Sequence, residues 1–380
     1  MPGALVEYPF VNYGIFDDIA QAALEKTQAD LARYPYERFE TYYTFADKTI
    51  IPTFLTQPVS RTQVNTRQLF HTTKGTLELF PAFGASMSMM RSRFARDVWD
   101  EGKGGVHVLP RVGLSDDERL ADVRASAPAL VGAALGINEK EEFLAELFAE
   151  PNLIFASIDI AHGANAAVLP VLHKIRGLGL DSGIILGNVG SIEGFAYAYW
   201  LMKLSGFRHF ILKVGVGPGS VCTTRINTGV GVGQLSLLEE IRRFQSVVGY
   251  ADVQIIADGG VNSSGDFVKA LAYSDGVMMG KFFASGSFED EVLIKKDGHL
   301  EGVLLYGMAS SLVTEKRNFI EGSSQTLRAF HHTAQEAIAR LREGLQSAMT
   351  YVNATNLTEF RGNVRFARNS AAAITEAGVH

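Results

Sequence analysis

The sequence is poor in cysteine, in net charge and in long apolar runs. One cysteine among 380 residues excludes an internal disulfide and a zinc site of several thiolates, and leaves a thiol that is either core or reactive. Lysine and arginine number 35 against 41 acids, a formal net charge of -6, so no global field draws the chain to nucleic acid or to an anionic membrane surface. No nucleic-acid or membrane partner is therefore expected. The N-terminus, MPGALVEYPFVNYG, lacks a basic region followed by an apolar run, and the longest apolar-looking stretch, APALVGAALGI, is too short to span a bilayer. A cytoplasmic location is the expectation. There is no GxxxxGK[ST] phosphate loop and no HExxH, and GVGPGS lacks the last glycine of a dinucleotide fingerprint. Proline-, glycine- or serine-rich linkers, low-complexity tracts and obvious repeats are also missing.

Hydrophobic residues at 47% and charged residues at 20% are what a soluble chain with a full core contains. From about Glu78 onward, short apolar runs alternate with helix-like segments. The strand candidates are residues 79–87, 104–110, 129–135, 153–160, 182–188, 207–215, 252–260 and 275–281. Between them lie segments such as LSDDERLADVRAS, NAAVLPVLHKIRGL, SIEGFAYAYWLMKLSG, QLSLLEEIRRFQSVV and SSGDFVKALAYS, several opening on Ser, Asp or Asn. Such sustained β-α alternation predicts an α/β fold, a (β/α)8 TIM barrel, rather than an open sheet. One domain over 1–380 is the simplest division. Residues 1–75 form an N-terminal extension over the barrel bottom or side, 309–330 a short active-site flap, and 331–380 the closing helix and tail.

The stretch VGVGPGSVCTTRINTGVGVG, Val214 to Gly233, holds six glycines and the single cysteine, Cys222. It begins where the sixth strand ends, and in a barrel the catalytic face is at the C-terminal ends of the strands. Glycines let backbone amides turn toward an anion or a planar ligand. A thiol among such amides and near Arg225 is a candidate nucleophile, although a lone cysteine is often only a small buried hydrophobe.

GVGPGSVCTTRINTGVGVGQ, followed in order by IIADGGVNSSGDFVKALA, DGVMMGK and LLYGMASS, resembles the IMP dehydrogenase and GMP reductase family. Weaker similarity runs back through GNVGS, SIDIAHG and VGAALG to FPAFGASMSMM, and forward to EGLQSAMTYVNA. The resemblance implies a (β/α)8 barrel in which Cys222 attacks C2 of a purine nucleotide, forming a covalent thioimidate, while a nicotinamide cofactor exchanges hydride at that carbon. It implies that Thr224 assists proton transfer or leaving-group activation. It further implies that Ser220, Gly260, Gly280 and Tyr306 hold the phosphate, that Asp258 holds the ribose hydroxyls, and that Met308, with Gly307 before it, meets the base. Asp159 and Asn188 match the positions beside the nicotinamide and its ribose. For Asp258 the plain alternative is turn chemistry, and for Asp159 and Asn188 it is helix capping. A monovalent cation such as K+ on the backbone of Gly217, Gly219 and Cys222, and a homotetramer, are also implied.

Within the resemblance, two features favour the reductase. The segment after strand two runs through without room for the regulatory module that most of the dehydrogenases insert. The flap LVTEKRNFIEGSSQTLRAF shows no Arg-Tyr pair for water activation, and Glu321 in IEGSS matches the reductase's catalytic glutamate. Expected is NADPH-dependent conversion of GMP, or a modified guanine nucleotide, to IMP and ammonia. The alternatives are NAD-dependent IMP dehydrogenase and a barrel that binds purine nucleotides without turning them over. Departures from the family pattern are Ser88 in place of Asp, Pro110-Arg111 in place of His-Arg, and Lys281, which adds a charge at the phosphate site or projects into solvent.

Overall fold

The computed structural model describes residues 14–34, 41–55, 60–220, 222–283, 293–297, 299–306, 324–328 and 333–376. Eight strands form a closed parallel barrel: β1 (Ala82–Gly84), β2 (Val106–Leu109), β3 (Val131–Leu135), β4 (Leu153–Asp159), β5 (Ile184–Val189), β6 (Phe210–Val214), β7 (Val253–Asp258) and β8 (Gly276–Met279). They pair in chain order, and β8 pairs β1 to close the ring. Each expected strand is present, with every end within three residues of the apolar run; most are shorter, and β5 runs one residue further.

Several of the connecting helices begin where polar side chains satisfy the first free backbone amides. Ser115 accepts from the Glu118 amide while Glu118 accepts from the Ser115 amide, a reciprocal cap on the helix Asp116–Ser126. Ser191, Ser263 and Asn165 cap the segments after β5, β7 and β4, each side chain accepting from a backbone amide two or three residues on. Thr333 and Glu336 cap Ala334–Tyr351, the helix that follows β8 and packs on Ser264–Leu271 and Ser92–Trp99. Ser92–Trp99 was not among the helical segments read from the sequence.

The barrel interior is a dry cluster of Val108, Phe155, Ile185, Ile211, Ile256 and Met278. Its N-terminal end is closed by a hairpin, Gln68–Thr72 paired with Gly75–Leu79. Phe70 of that hairpin packs edge-on against Phe83 and Phe155, with ring centroids 5.4 and 6.1 Å away. Burial of rings of this size contributes on the order of 2–3 kcal/mol each. The N-terminal helix Asp17–Arg33 lies along Ile192–Leu204, on the side of the barrel. Trp200 Nε1 and the Tyr250 hydroxyl both donate to Asp30 Oδ2, at 2.8 and 2.5 Å. The extension is thus divided: its helix covers the side and its hairpin the bottom. Lys48–Ile50 pairs antiparallel with Phe366–Arg368, bringing the N-terminal extension against the C-terminal tail.

After β8 a three-stranded antiparallel sheet forms from Leu293–Lys296, His299–Tyr306 and Ser324–Arg328. No strands are expected here from the sequence, and the third of them lies within the flap expected over 309–330. Alternation in these runs is weak, and only the pairing of Tyr306 with Ser324 reveals the register. No helix among the described residues is long and apolar enough to cross a membrane.

Candidate active site

Side chains on a strand alternate faces, so a strand of the barrel presents every second residue to the interior. On β6 the interior residue after Ile211 is Lys213; on β7 the one after Ile256 is Asp258; on β4 Phe155 is followed by Ser157 and Asp159. The apolar plug therefore gives way, toward the C-terminal ends of the strands, to a polar layer.

Lys213 lies at its centre, with 2% of its surface exposed. Its ammonium donates to Asp159 Oδ1 at 3.0 Å, to Asp258 Oδ2 at 2.7 Å and to Asn188 Oδ1. Asn188 Nδ2 in turn donates to Asp258 Oδ2 at 2.8 Å and to the Gly215 carbonyl at 2.7 Å. Ser86 donates to Asp159 Oδ2 at 2.7 Å, and Arg111 reaches the Asp159 carbonyl at 3.2 Å. Burial pushes the Asp159 carboxyl up, but Lys213, Ser86 and Arg111 outweigh it and hold it below the usual carboxylate range. Burial likewise opposes the Lys213 charge, and Asp159 and Asp258 overcome it, so the ammonium titrates above an ordinary lysine. The layer is ionic at neutral pH.

Lys213 is compatible with its neighbours because residue 187 is glycine. A Cβ there would meet Lys213 Cβ at 2.5 Å and its carbonyl oxygen at 2.8 Å.

Three residues singled out in the sequence, Asp159, Asn188 and Asp258, converge on one nitrogen. None acts as a helix cap or a turn residue; the caps after β4 and β5 are Asn165 and Ser191. Lys213 and Ser86 escaped the sequence reading. Their signal was a lysine inside an apolar strand run, FILKV, where burial demands a partner of opposite charge.

The cysteine loop leaves β6 directly above this layer. Cys222, half-buried, has its Sγ 3.1 Å from Thr224 Oγ1, and its amide donates to the Gly219 carbonyl at 3.0 Å. Thr224 opens the short helix Thr224–Thr228. Among the described residues no hydrogen bond joins Arg225 to the thiol. The Arg225 stem runs instead past Gly217 (φ 83°) and Gly231 (φ 150°), where a Cβ would lie 2.4 Å from its Cγ. Two of the loop's glycines thus give room to an arginine stem. Arg225 lines a cleft of about 260 Å3 with Phe45, Pro218, Gln234, Gly260 and Asp266.

Gly260 follows β7, within van der Waals reach of Pro218 in the cysteine loop. Ser220 and Lys281 are exposed, and Gly280 abuts Met87 after β1. Tyr306 ends the middle strand of the three-stranded sheet. Gly307, Met308 and Glu321 lie outside the described residues. Ser88 donates to the Val112 carbonyl at 3.3 Å, so it joins the β1 and β2 loops. Among the described residues no group of three or more His, Cys, Asp or Glu side chains could hold a metal ion. Of the three carbonyls expected to hold a monovalent cation, that of Gly219 already accepts the Cys222 amide.

A thiol-bearing loop and two carboxylates joined by a buried ammonium thus share the C-terminal face of a (β/α)8 barrel, the face on which such barrels carry their active sites. The sequence profile of the IMP dehydrogenase / GMP reductase domain matches residues 43–380. The chain belongs to that family of oxidoreductases, whose members use a nicotinamide cofactor. It is 33% identical over 262 residues to an inosine-5'-monophosphate dehydrogenase of Aquifex aeolicus, covering 66% of this chain and 52% of that one. It is 32% identical over 234 residues to a GMP reductase of Bacillus subtilis, covering 60% of this chain and 67% of that one. The chain thus spans about half the length of the dehydrogenase it matches.

Proposed function

We propose that the protein is a reductase of a guanine-type nucleoside monophosphate, converting GMP or a modified guanine nucleotide to the deaminated product and ammonia with NADPH. The reading is carried by the Cys222–Thr224 contact of 3.1 Å on the catalytic face, above Asp258 and Asp159. The thiol attacks C2, and a C–S bond forms. The 2-amino group takes up a proton and leaves as ammonia, giving a thioimidate. Hydride from the reduced cofactor then arrives at C2 as the C–S bond breaks, and the thiol is regenerated. An adduct of this kind divides one difficult substitution into two easier ones.

The other residues prepare the site. Thr224 accepts a hydrogen bond from the Cys222 thiol at 3.1 Å and is assigned proton transfer or activation of the leaving group. Asp258 accepts from the substrate ribose hydroxyls, and Asp159, held ionised, accepts from those of the cofactor. Asp159 fits that task because Ser86 takes up one oxygen and Lys213 the other with a single hydrogen bond each, so each oxygen has a lone pair to spare. Arg111 adds a donor: its Nε is buried without a partner among the described residues. Glu321 is assigned the protonation of departing ammonia, and Ser220, Gly260, Gly280 and Lys281 the phosphate.

Two observations favour reductase over dehydrogenase. Residues 110–130 connect β2 to β3 through the single helix Asp116–Ser126, with no inserted module. The flap sequence carries no Arg-Tyr pair. The deciding assay follows cofactor absorbance with NADPH and GMP while ammonia is titrated, beside NAD and IMP. Stoichiometric ammonia with NADPH loss supports the reductase; NADH appearing from IMP replaces it with the dehydrogenase. Binding without turnover of either, in wild type, leaves a modified purine nucleotide as substrate or the non-catalytic reading.

A further inference from the structure

We propose that Lys213 is a positioning residue that ties the substrate half of the site to the cofactor half. The inference rests on the reading of Asp258 and Asp159 as the two nucleotide-holding carboxylates. All three donors of an ammonium are used, on Asp159, Asp258 and Asn188. None remains for a ligand, so Lys213 acts through its partners rather than on the reacting atoms.

Its placement makes one nitrogen the common reference for three strands. Asp159 ends β4, Asn188 lies in β5 and Asp258 ends β7. Asn188 extends the network to the Gly215 carbonyl, the residue after β6 at which the cysteine loop begins. A shift of either carboxylate is therefore felt by the other and by the base of the loop that carries Cys222.

Two carboxylates bound to one nitrogen repel one another, and in a buried site the repulsion is removed by that nitrogen or by a proton. A proton would turn an acceptor into a donor and spoil its match to a ribose hydroxyl. The groups facing Asp159 are Lys213, the Ser86 hydroxyl, the Arg111 guanidinium and, across Lys213, Asp258. Arg111 meets only the backbone carbonyl of Asp159, so it does not replace the ammonium between the carboxylates.

The test is separate calorimetric titration of GMP and of NADPH into wild type, Lys213→Met and Lys213→Arg, with thermal unfolding of each. For Lys213→Met both nucleotides are expected to weaken by roughly ten- to a hundredfold, the effect of losing a charged hydrogen bond at each carboxylate. NADPH affinity in that variant should also rise with pH. Without the ammonium, burial lifts the Asp159 carboxyl, which is neutral at low pH and regains its acceptor role as it ionises. Wild type, with Asp159 already ionised, should not show that dependence. Lys213→Arg keeps the charge and is expected to restore most of the pH independence, and it carries the test if Lys213→Met does not fold. A purely structural lysine would lower the unfolding temperature and leave both affinities within twofold, which overturns the proposal. If wild type binds neither nucleotide, the functional reading fails instead, and the two failures are distinct.

Discussion

The substitution Gly187→Ala tests the packing that admits a lysine to the barrel. Gly187 of β5 and Lys213 of β6 are register partners. An added Cβ would lie 2.5 Å from Lys213 Cβ, 2.8 Å from its carbonyl oxygen and 3.3 Å from its Cα. Carbon atoms prefer separations of about 3.5–4.0 Å, so the contact must open by about 1 Å. The clashing atoms are backbone or attached to it, and no flexible end can swing away. The two strands must therefore part, at a cost of about 1–3 kcal/mol. At about 2.1 cal/mol/K of unfolding entropy per residue, a chain of 380 residues loses about 1–4 °C in Tm. Moving Lys213 also stretches its bonds to Asp159 and Asp258, and a misplacement of about 1 Å can cost roughly a hundredfold in kcat/KM. The control is Gly177→Ala at the end of Leu169–Gly177, where a Cβ meets nothing within 4 Å; it should stabilise by up to about 1 kcal/mol. Scanning calorimetry and steady-state kinetics on both variants read the difference. A Gly187→Ala protein that melts at or above wild type with unchanged kcat/KM refutes the reasoning.

Cys222→Ala should abolish turnover while leaving nucleotide affinity intact, and full activity in that variant, measured by cofactor absorbance, would remove the covalent mechanism. Thr224→Val, which deletes the hydroxyl 3.1 Å from Sγ, should lower kcat by about tenfold or more without changing the unfolding temperature by more than a degree or so. His107 supplies a pH prediction of another kind. It is wholly buried between strand and helix, burial pushes its pKa down to about 4, and its Nε2 lies 2.8 Å from the Met90 carbonyl, which places the proton on Nε2. Because the folded pKa is the lower one, the stability this neutral form carries is full above the unfolded value of about 6.5 and is lost as pH falls toward 4, about 3 kcal/mol in all. Urea unfolding at several pH values should show that loss in wild type and a correspondingly shallower slope in His107→Leu; equal slopes would refute the assignment.

Much of this molecule is legible in its sequence because it depends on short-range patterns. Apolar runs alternating with capped helical segments specify eight strands, and their order places Cys222, Asp159, Asn188 and Asp258 at the C-terminal ends of strands, on one face. Capping is local too: Ser115 and Glu118, or Thr333 and Glu336, need only their spacing. The three-stranded sheet after β8 was not legible, since its pairing joins Tyr306 to Ser324 across a segment with no periodic signal.

The chemistry of the site divides along the same line. The residue types and the order of the loops are properties of the chain, and they suffice to single out Cys222, Asp159, Asn188 and Asp258. Tertiary structure alone decides that those carboxylates meet on Lys213, that Gly187 makes the space, and that the Arg225 stem passes between Gly217 and Gly231. Each of these is a close approach between residues distant in sequence. No local pattern encodes such distances, because they are set by how the barrel closes.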